Sequence, residues 1–241
     1  IRSPGFTLAA VAALALGIGS TTAIFSVVNT VMLKPAPFPE SDRIVWFQVV
    51  SPQGRNQGGS PAKFAHWRQQ TDVAQDVAAF RNGLVNYTGG DVPEQLEWGQ
   101  VSVDFFRLFG APIIEGRSFT PDEDLPNAQK VVLLSEQLWE RRFDRDPGIV
   151  GQTLALSAEA HVVIGVVGES FDFRDFGAAP DVWTPFQLDP NSDAQGHYFS
   201  VAGRLKPGVS LTQAQTVLEQ SSLAYTERFP DTLGDDGVFG A

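Results

Sequence analysis

Three histidines, His66, His161 and His197, are the side chains best suited to proton transfer or metal ligation near neutral pH. They stand far apart in sequence, and none has a second histidine at ligand spacing. Each reads as a partly buried or surface imidazole. The run Asp122-Glu123-Asp124 offers oxygens to a hard cation, but the spaced ligands and turn glycine of a calcium loop are missing, and a solvated loop is the simpler reading. Asp172, Arg174 and Asp175 alternate with Phe171, Phe173 and Phe176, as in a surface strand or loop with aromatic anchors. No G-x-x-x-x-G-K-[ST], H-E-x-x-H or G-x-S-x-G occurs. Gly17-Ile18-Gly19-Ser20-Thr21-Thr22 imitates a dinucleotide fingerprint, with Glu40 at about the right distance. The third glycine is absent, however, and Pro35, Pro37 and Pro39 interrupt the strand that would carry the acidic residue. With no cysteine, disulfides, thiolate metal sites and cysteine catalysis are excluded. The expectation is a chain with no catalytic residue, no cofactor site and no metal site.

The most distinctive stretch is instead apolar. Between Arg2 and Lys34 there is no charged residue, and the only polar side chains from Phe6 to Leu33 are Thr7, Ser20, Thr21, Thr22, Ser26, Asn29 and Thr30. Roughly 28 residues of helix at 1.5 Å each exceed the ~30 Å hydrocarbon core, so the segment predicts a transmembrane helix that emerges on the far side. It is too long for a signal-peptide core, and Val31-Met32-Leu33-Lys34-Pro35 carries no A-x-A cleavage pattern. Ala15, Gly19 and Ala23 lie four apart and read as a small-residue packing strip for partner helices. With Ile1 in first place, the sequence reads as a piece of a longer membrane protein.

Beyond a stiff linker, Pro35-Ala36-Pro37-Phe38-Pro39, the remaining residues suffice for one large domain or two small ones. Seventeen Lys and Arg against 28 Asp and Glu give a net charge of −11, which argues against nucleic acid as a partner. Arg43–Val50 reads as a strand, Gly54–Gly59 as a loop, and Ser60-Pro61 as the start of a helix through Phe64 and Trp67. Val73–Phe80 has mixed helix and strand character. Strands are predicted over Leu84–Thr88 and Glu94–Val103, joined by Gly89-Gly90-Asp91. Asp104 is expected to cap the short helix Phe105–Phe109, four of whose five side chains are apolar, so that it wedges between subdomains. Val131–Leu134 reads as a buried strand before a Ser135-capped helix. A hairpin follows over Gln152–Leu156 and Val162–Val167, and then Val182–Pro185. Tyr198–Leu205 is a strand. Ser210 and Gln213 form a capping box for a helix to about Phe229, with Leu211, Ala214, Val217, Leu218 and Tyr225 as its apolar stripe. The trptophans Trp46, Trp67, Trp98, Trp139 and Trp183 are expected to fill cores.

Taken together, the fold class is α+β: a transmembrane helix and linker over residues 1–38, then an α/β subdomain over 39–110 with 196–241. Residues 111–195 are expected as an inserted β-rich subdomain.

Several stretches resemble MacB-like permeases of ABC transporters, of the FtsX-like permease class and closest to the acidobacterial-type duplicated subgroup. They are Ser3-Pro4-Gly5-Phe6-Thr7, Ala15-Leu16-Gly17-Ile18-Gly19 and Ala23-Ile24-Phe25-Ser26-Val27-Val28-Asn29, similar to the first transmembrane helix. Val101-Ser102-Val103-Asp104-Phe105-Phe106, Gly116-Arg117-Ser118-Phe119, Leu134-Ser135-Glu136-Gln137-Leu138-Trp139, Val163-Ile164-Gly165-Val166-Val167 and Arg204-Leu205-Lys206-Pro207-Gly208-Val209 are similar to the periplasmic core domain. The resemblance implies a porter-like α/β part split by the strand-rich insertion, non-catalytic, lying outside the bacterial inner membrane. It also implies ATP on a separate cytoplasmic ABC ATPase, a second permease copy or pseudo-dimer half, a periplasmic adaptor in some members, and contact with membrane lipid. The alternative from a different class is a membrane-anchored extracytoplasmic ligand sensor or enzyme, which would need a convergent polar constellation.

The uncharged run generates a direct test. The 241-residue chain is expected to sediment with membranes and to resist extraction by alkaline carbonate; full solubility without detergent would remove the anchor.

Overall fold

The structure, a computed structural model, describes residues 5, 11, 14–20, 22, 38–90, 92–171, 173, 177–234 and 236–241. Most of the apolar run expected to cross the membrane lies outside these, Ala23 included, as do Asp172, Arg174, Asp175 and Phe176. Residues 14–20, with Ala15 and Gly19, are helical and exposed. Among the described residues no helix is long and apolar enough to cross a membrane. Ile1–Ser41 and Asp42–Ala241 are separate compact units.

The larger unit begins with β1 (Ile44–Trp46) and β2 (Gln48–Ser51), which the sequence reads as one strand. They part at Phe47, which is fully buried and stacks on Trp67 at 5.5 Å between ring centroids. The stretch expected as a loop holds two short strands, β3 (Gly54–Asn56) and β4 (Gly58–Gly59), because β2 and a later strand offer them backbone partners. Helix α1 (Pro61–Trp67) starts where Ser60 accepts from the Lys63 N–H, with Pro61 in the first turn. Next comes β5 (Ala74–Tyr87), 14 residues long, which resolves the mixed character of 73–80 as strand. It hairpins into β6 (Glu94–Val101).

Helix α2 (Phe105–Phe109) follows, ended by Gly110 in the left-handed conformation. Asp104 does not cap it; the carboxylate instead pairs with Arg107 at 2.7 Å and Arg68 at 3.6 Å. The later elements are β7 (Ile113–Gly116), β8 (Val131–Ser135), α3 (Glu136–Phe143), β9 (Thr153–Leu156), β10 (Glu159–Val167), β11 (Val182–Pro185) and β12 (Phe199–Leu205). Helix α4 (Leu211–Arg228) carries the expected capping box, although Leu211 faces water because the helix rotates Ala214, Leu218, Ser222 and Tyr225 inward. A last strand, β13 (Val238–Gly240), was not foreseen; it pairs with β2 in a small three-stranded sheet.

The main sheet has ten strands, in the order β1-β12-β5-β6-β11-β8-β10-β7, with β4 beside β12 and β9 beside β10. It is mixed: β6 with β11 and β8 with β10 run parallel, the other pairs antiparallel. The parallel β8 and β10 are joined through α3, as parallel neighbours require a crossover. One core gathers Phe47, Trp67, Val201, Leu218, Tyr225 and Phe239. A second gathers Val132, Leu134, Leu138, Trp139, Leu154 and Val163. Residues of β5 enter both, Val77 and Ala79 the first, Tyr87 the second. Thus the sheet runs unbroken across the boundary expected near residue 110.

Pleat alternation gives β5 two working faces. Val77 and Ala79 point to the α1–α4 core, while Phe80 points to α2. There Phe105, fully buried, meets Phe80, Phe109 and Phe173 at 5.6, 4.9 and 5.2 Å between centroids. Close approach matters on the other side too: a Cβ at Gly203 of β12 would stand 2.3 Å from the Phe47 ring.

Phe105→Ala is expected to cost about 3–5 kcal/mol in urea unfolding. Phe105→Leu is expected to cost less than half as much. An alanine variant within about 1 kcal/mol of the parent would show that the aromatic nest does not hold α2 on the sheet.

Candidate functional site

The candidate site forms where α1, the turn after Thr120 and the segment following β11 converge. Phe64 of α1, Arg68 just after it, Val103, Asp124, Leu125 and Leu188 line a cavity of about 310 Å³ there. Its floor contains the group that the sequence placed in solvent. Residues Pro121–Asp124 form a 3-10 turn in which Glu123 and Asp124 are only 8% and 9% exposed. The solvated-loop reading is therefore corrected for Glu123 and Asp124, while Asp122 is exposed.

The two carboxylates are held differently. Glu123 is gripped by both arms of Arg117 at 2.7 and 2.8 Å, and its Oε2 also accepts from the Thr120 N–H at 2.9 Å. The Arg117 hydrogen bond, set against burial, holds the Glu123 carboxyl below the ordinary carboxylate range. Asp124 has no such fork. Its two oxygens accept from the backbone N–H groups of Val103 at 2.9 Å and Gln187 at 3.0 Å. Burial dominates there and pushes the Asp124 carboxyl up, with the two backbone bonds and Arg68 acting the other way. Asp124 thus ties the end of the β6 segment to the segment after β11, and so ties two stretches far apart in sequence.

A second knot lies on the α2 side. Arg107 donates from Nε and Nη to the buried Asp76 of β5 at 2.8 and 2.6 Å, and also reaches Asp104. Arg204 of β12, buried as well, donates to the Leu108 carbonyl at the end of α2. These contacts fasten the wedge to the middle of the sheet.

The three histidines do not converge. His66 packs between Tyr225 and Phe239, His161 bonds the Glu159 carbonyl at 3.1 Å, and exposed His197 meets buried Lys63. Burial lowers all three imidazoles below their ordinary value. Among the described residues no group of three or more His, Asp or Glu could hold a metal ion. The tryptophans divide: Trp67, Trp139 and Trp183 are buried, whereas Trp46 and Trp98 are partly exposed. Two signals for the missed residues were available. Thr120-Pro121-Asp122-Glu123 has the spacing of a capping box, and Lys63 shares a helical face with Phe64 and Trp67.

This arrangement of a sheet with wedged helices belongs to a known class of membrane-transport domain. The chain belongs to the MacB-like periplasmic core domain family, whose model matches residues 7–221. Among the relatives, macrolide export ATP-binding/permease protein MacB 1 of Yersinia pestis bv. Antiqua is 32% identical over 120 residues, 49% of this chain and 18% of that one. The Shigella dysenteriae MacB is 26% identical over 174 residues, 71% of this chain. The chain covers about a quarter of that relative's length, 26%. In fold, it is similar to a permease-protein domain from Porphyromonas gingivalis with a TM-score of 0.65 at 16% identity, covering 84% of this chain and 90% of that one. The periplasmic region of MacB from Actinobacillus actinomycetemcomitans gives 0.56 at 15% identity, covering 84% and 89%. The extracellular domain of the ABC-type transporter YknZ from Gram-positive bacteria also gives 0.56, at 13% identity, covering 82% and 98%.

The neighbouring carboxyls are expected to respond to pH with opposite sign. Glu123, held low, stabilises the fold above the ordinary glutamate range, and that contribution is lost as pH falls through its depressed value. Glu123→Gln is expected to cost about 1–2 kcal/mol at pH 7, discounted for the half-exposed Arg117, and almost nothing in strong acid. Asp124, held high, makes stability decline as pH rises from the ordinary aspartate value through its raised one. In urea titrations from pH 3 to 7, Asp124→Asn is expected to flatten that decline; an unchanged slope would remove Asp124 as its source.

Proposed function

We propose that this chain is the extracytoplasmic core domain of an ABC transporter permease and works as a mechanical element without chemistry of its own. Motion of membrane helices, driven by a cytoplasmic ABC ATPase that holds the ATP, would pass through the domain to periplasmic partners or substrate. Family membership supports the class. The reading as a force-carrying body rests on the continuity of the main sheet through β5. Its 14 residues span roughly 45 Å, with Ala74–Phe80 paired to β12 on one edge and Phe80–Tyr87 paired to β6 on the other. From β12 through β5, β6 and β11 to β8, each strand is hydrogen-bonded to the next.

On this reading the split into a porter-like part (39–110 with 196–241) and an inserted part (111–195) is a division of labour within one sheet. The porter-like part would receive motion from the anchor, and the inserted part would present it outward. The working assembly is a second permease copy or pseudo-dimer half in the inner membrane, lipid around the anchor, and an adaptor in the periplasm.

This chain itself has no cysteine. Spin labels at Lys206→Cys in two permease copies of a full transporter with any cysteines elsewhere replaced are expected to change separation when ATP is added. Replacing Val28 or Val31 by Pro, within the run that the sequence reads as a rigid anchor helix, is expected to leave ATP hydrolysis largely intact while abolishing that change. Interior proline kinks a helix at a cost of about 3 kcal/mol. Stably inserted proline variants that keep the full distance change would rule out the lever, leaving a passive docking domain.

A further inference from the structure

Two cationic side chains, Lys63 and Arg81, and the imidazole of His197 lie at one groove with no carboxylate partner among the described residues, in a chain whose net charge is −11. Lys63 of α1 is 1% exposed, and its Nζ lies 2.6 Å from His197 Nε2. Arg81 of β5 lies among the rings of Trp98, Phe186 and Tyr198, 5.5, 5.7 and 5.3 Å from their centroids. Its Nε donates to Gln100 Oε1 at 2.8 Å, and its Nη groups have no hydrogen-bond partner among the described residues. Neither Lys63 nor Arg81 is ion-paired within the described residues. Arg81, His197, Tyr198 and Phe199 line one open groove of about 330 Å³, and Lys63 stands behind His197.

The contrast with the rest of the domain is chemical. Arg107 is matched by Asp76 and Asp104, Arg117 by Glu123, and Arg142 by Glu94. Burying an ammonium without an anion is unfavourable, since desolvation is repaid only by a close countercharge. Burial lowers the Lys63 amine to about 8, so it remains largely charged at neutral pH. The imidazole of His197 accepts from that ammonium through Nε2, which places its own proton on Nδ1. Neither partner supplies negative charge. The two free Nη groups of Arg81 form a planar fork that matches a carboxylate, and the aromatic walls suit an apolar body.

We propose that this groove is a binding site for a small organic monoanion, a carboxylate carrying a planar apolar body, held by Arg81 at its head and by the Lys63–His197 pair. The bound carboxylate supplies the countercharge that the described residues leave out, and its body packs on the Tyr198 ring. Lys63 is then a residue that the empty domain holds at a loss and the occupied domain uses. The inference is independent of the coupling role.

The test uses the 241-residue chain in neutral detergent and four probes: benzoate, acetate, inorganic phosphate and benzylamine. Isothermal titration is expected to show saturable, one-to-one binding of benzoate, weaker binding of acetate, and none of benzylamine. Arg81→Gln and Lys63→Met are each expected to weaken benzoate by about tenfold or more, with Lys206→Gln unchanged. Without ligand at pH 7, Lys63→Met is expected to melt higher than the parent and to lose the upward shift that benzoate gives the parent. Four results would overturn the proposal: no saturation by benzoate, equal binding of benzylamine, phosphate outcompeting benzoate at equal concentration, or benzoate affinity unchanged in both variants. A Lys63→Met chain that melts lower without ligand would also overturn it, by making Lys63 a structural residue.

Discussion

The rest of the domain depends on one strand satisfying two environments at once. From Ala74 to Phe80, β5 is covered on both faces, with only Gln75 exposed. From Arg81 to Asn86 it alternates between half-buried and exposed positions, before Tyr87 turns back into the second core. Helices must approach both faces of the first half, and Ala78 and Ala79, fully buried, keep the strand thin enough there. Without the hydrogen bonds to β12 on one edge and β6 on the other, two cores would have to be stable separately. Because β5 contributes to both, they share a single hydrogen-bonded frame.

Buried polar groups then act as fasteners on that frame. Asp76, Arg204 and Asp124 each join elements distant in sequence, Glu123 closes the local turn onto Arg117, and each meets a complementary charge or backbone group. Burial of a polar group is tolerable only when such partners are present, so these contacts also define which arrangement of the wedge and turn is allowed. Lys63 departs from the pattern: its only described partner is a neutral acceptor. Local rules are broken more readily where a site has a use beyond stability.

Under the coupling role proposed for this member of the MacB-like periplasmic core domain family, a shared frame has a mechanical meaning. A displacement applied at one end of a hydrogen-bonded sheet is carried by backbone, which is stiffer than side-chain packing between separable subdomains. The aromatic nest around Phe105 and the Arg107–Asp76 knot keep α2 from sliding on that frame. Coupling of this kind requires no reacting group.

By itself the sequence determined what depends on neighbours within a few residues. Ser60-Pro61, Ser135 and Ser210 with Gln213 start helices where their side chains meet orphaned N–H groups, and Gly110 stops α2. Strand-like composition marked β6, β8, β10 and β12, and several separate stretches along the chain marked the family resemblance. Only the tertiary structure decided which strands pair. The parallel partnership of β8 with β10, the capture of β3 and β4 as strands, and the return of β13 to β2 all depend on backbone groups supplied from far along the chain. The same holds for charge. Whether Asp104 caps or pairs, whether Glu123 and Asp124 face water, and whether Lys63 finds an anion depend on what long-range folding places beside them. Sequence spacing on one element cannot encode the dielectric and partners contributed by another.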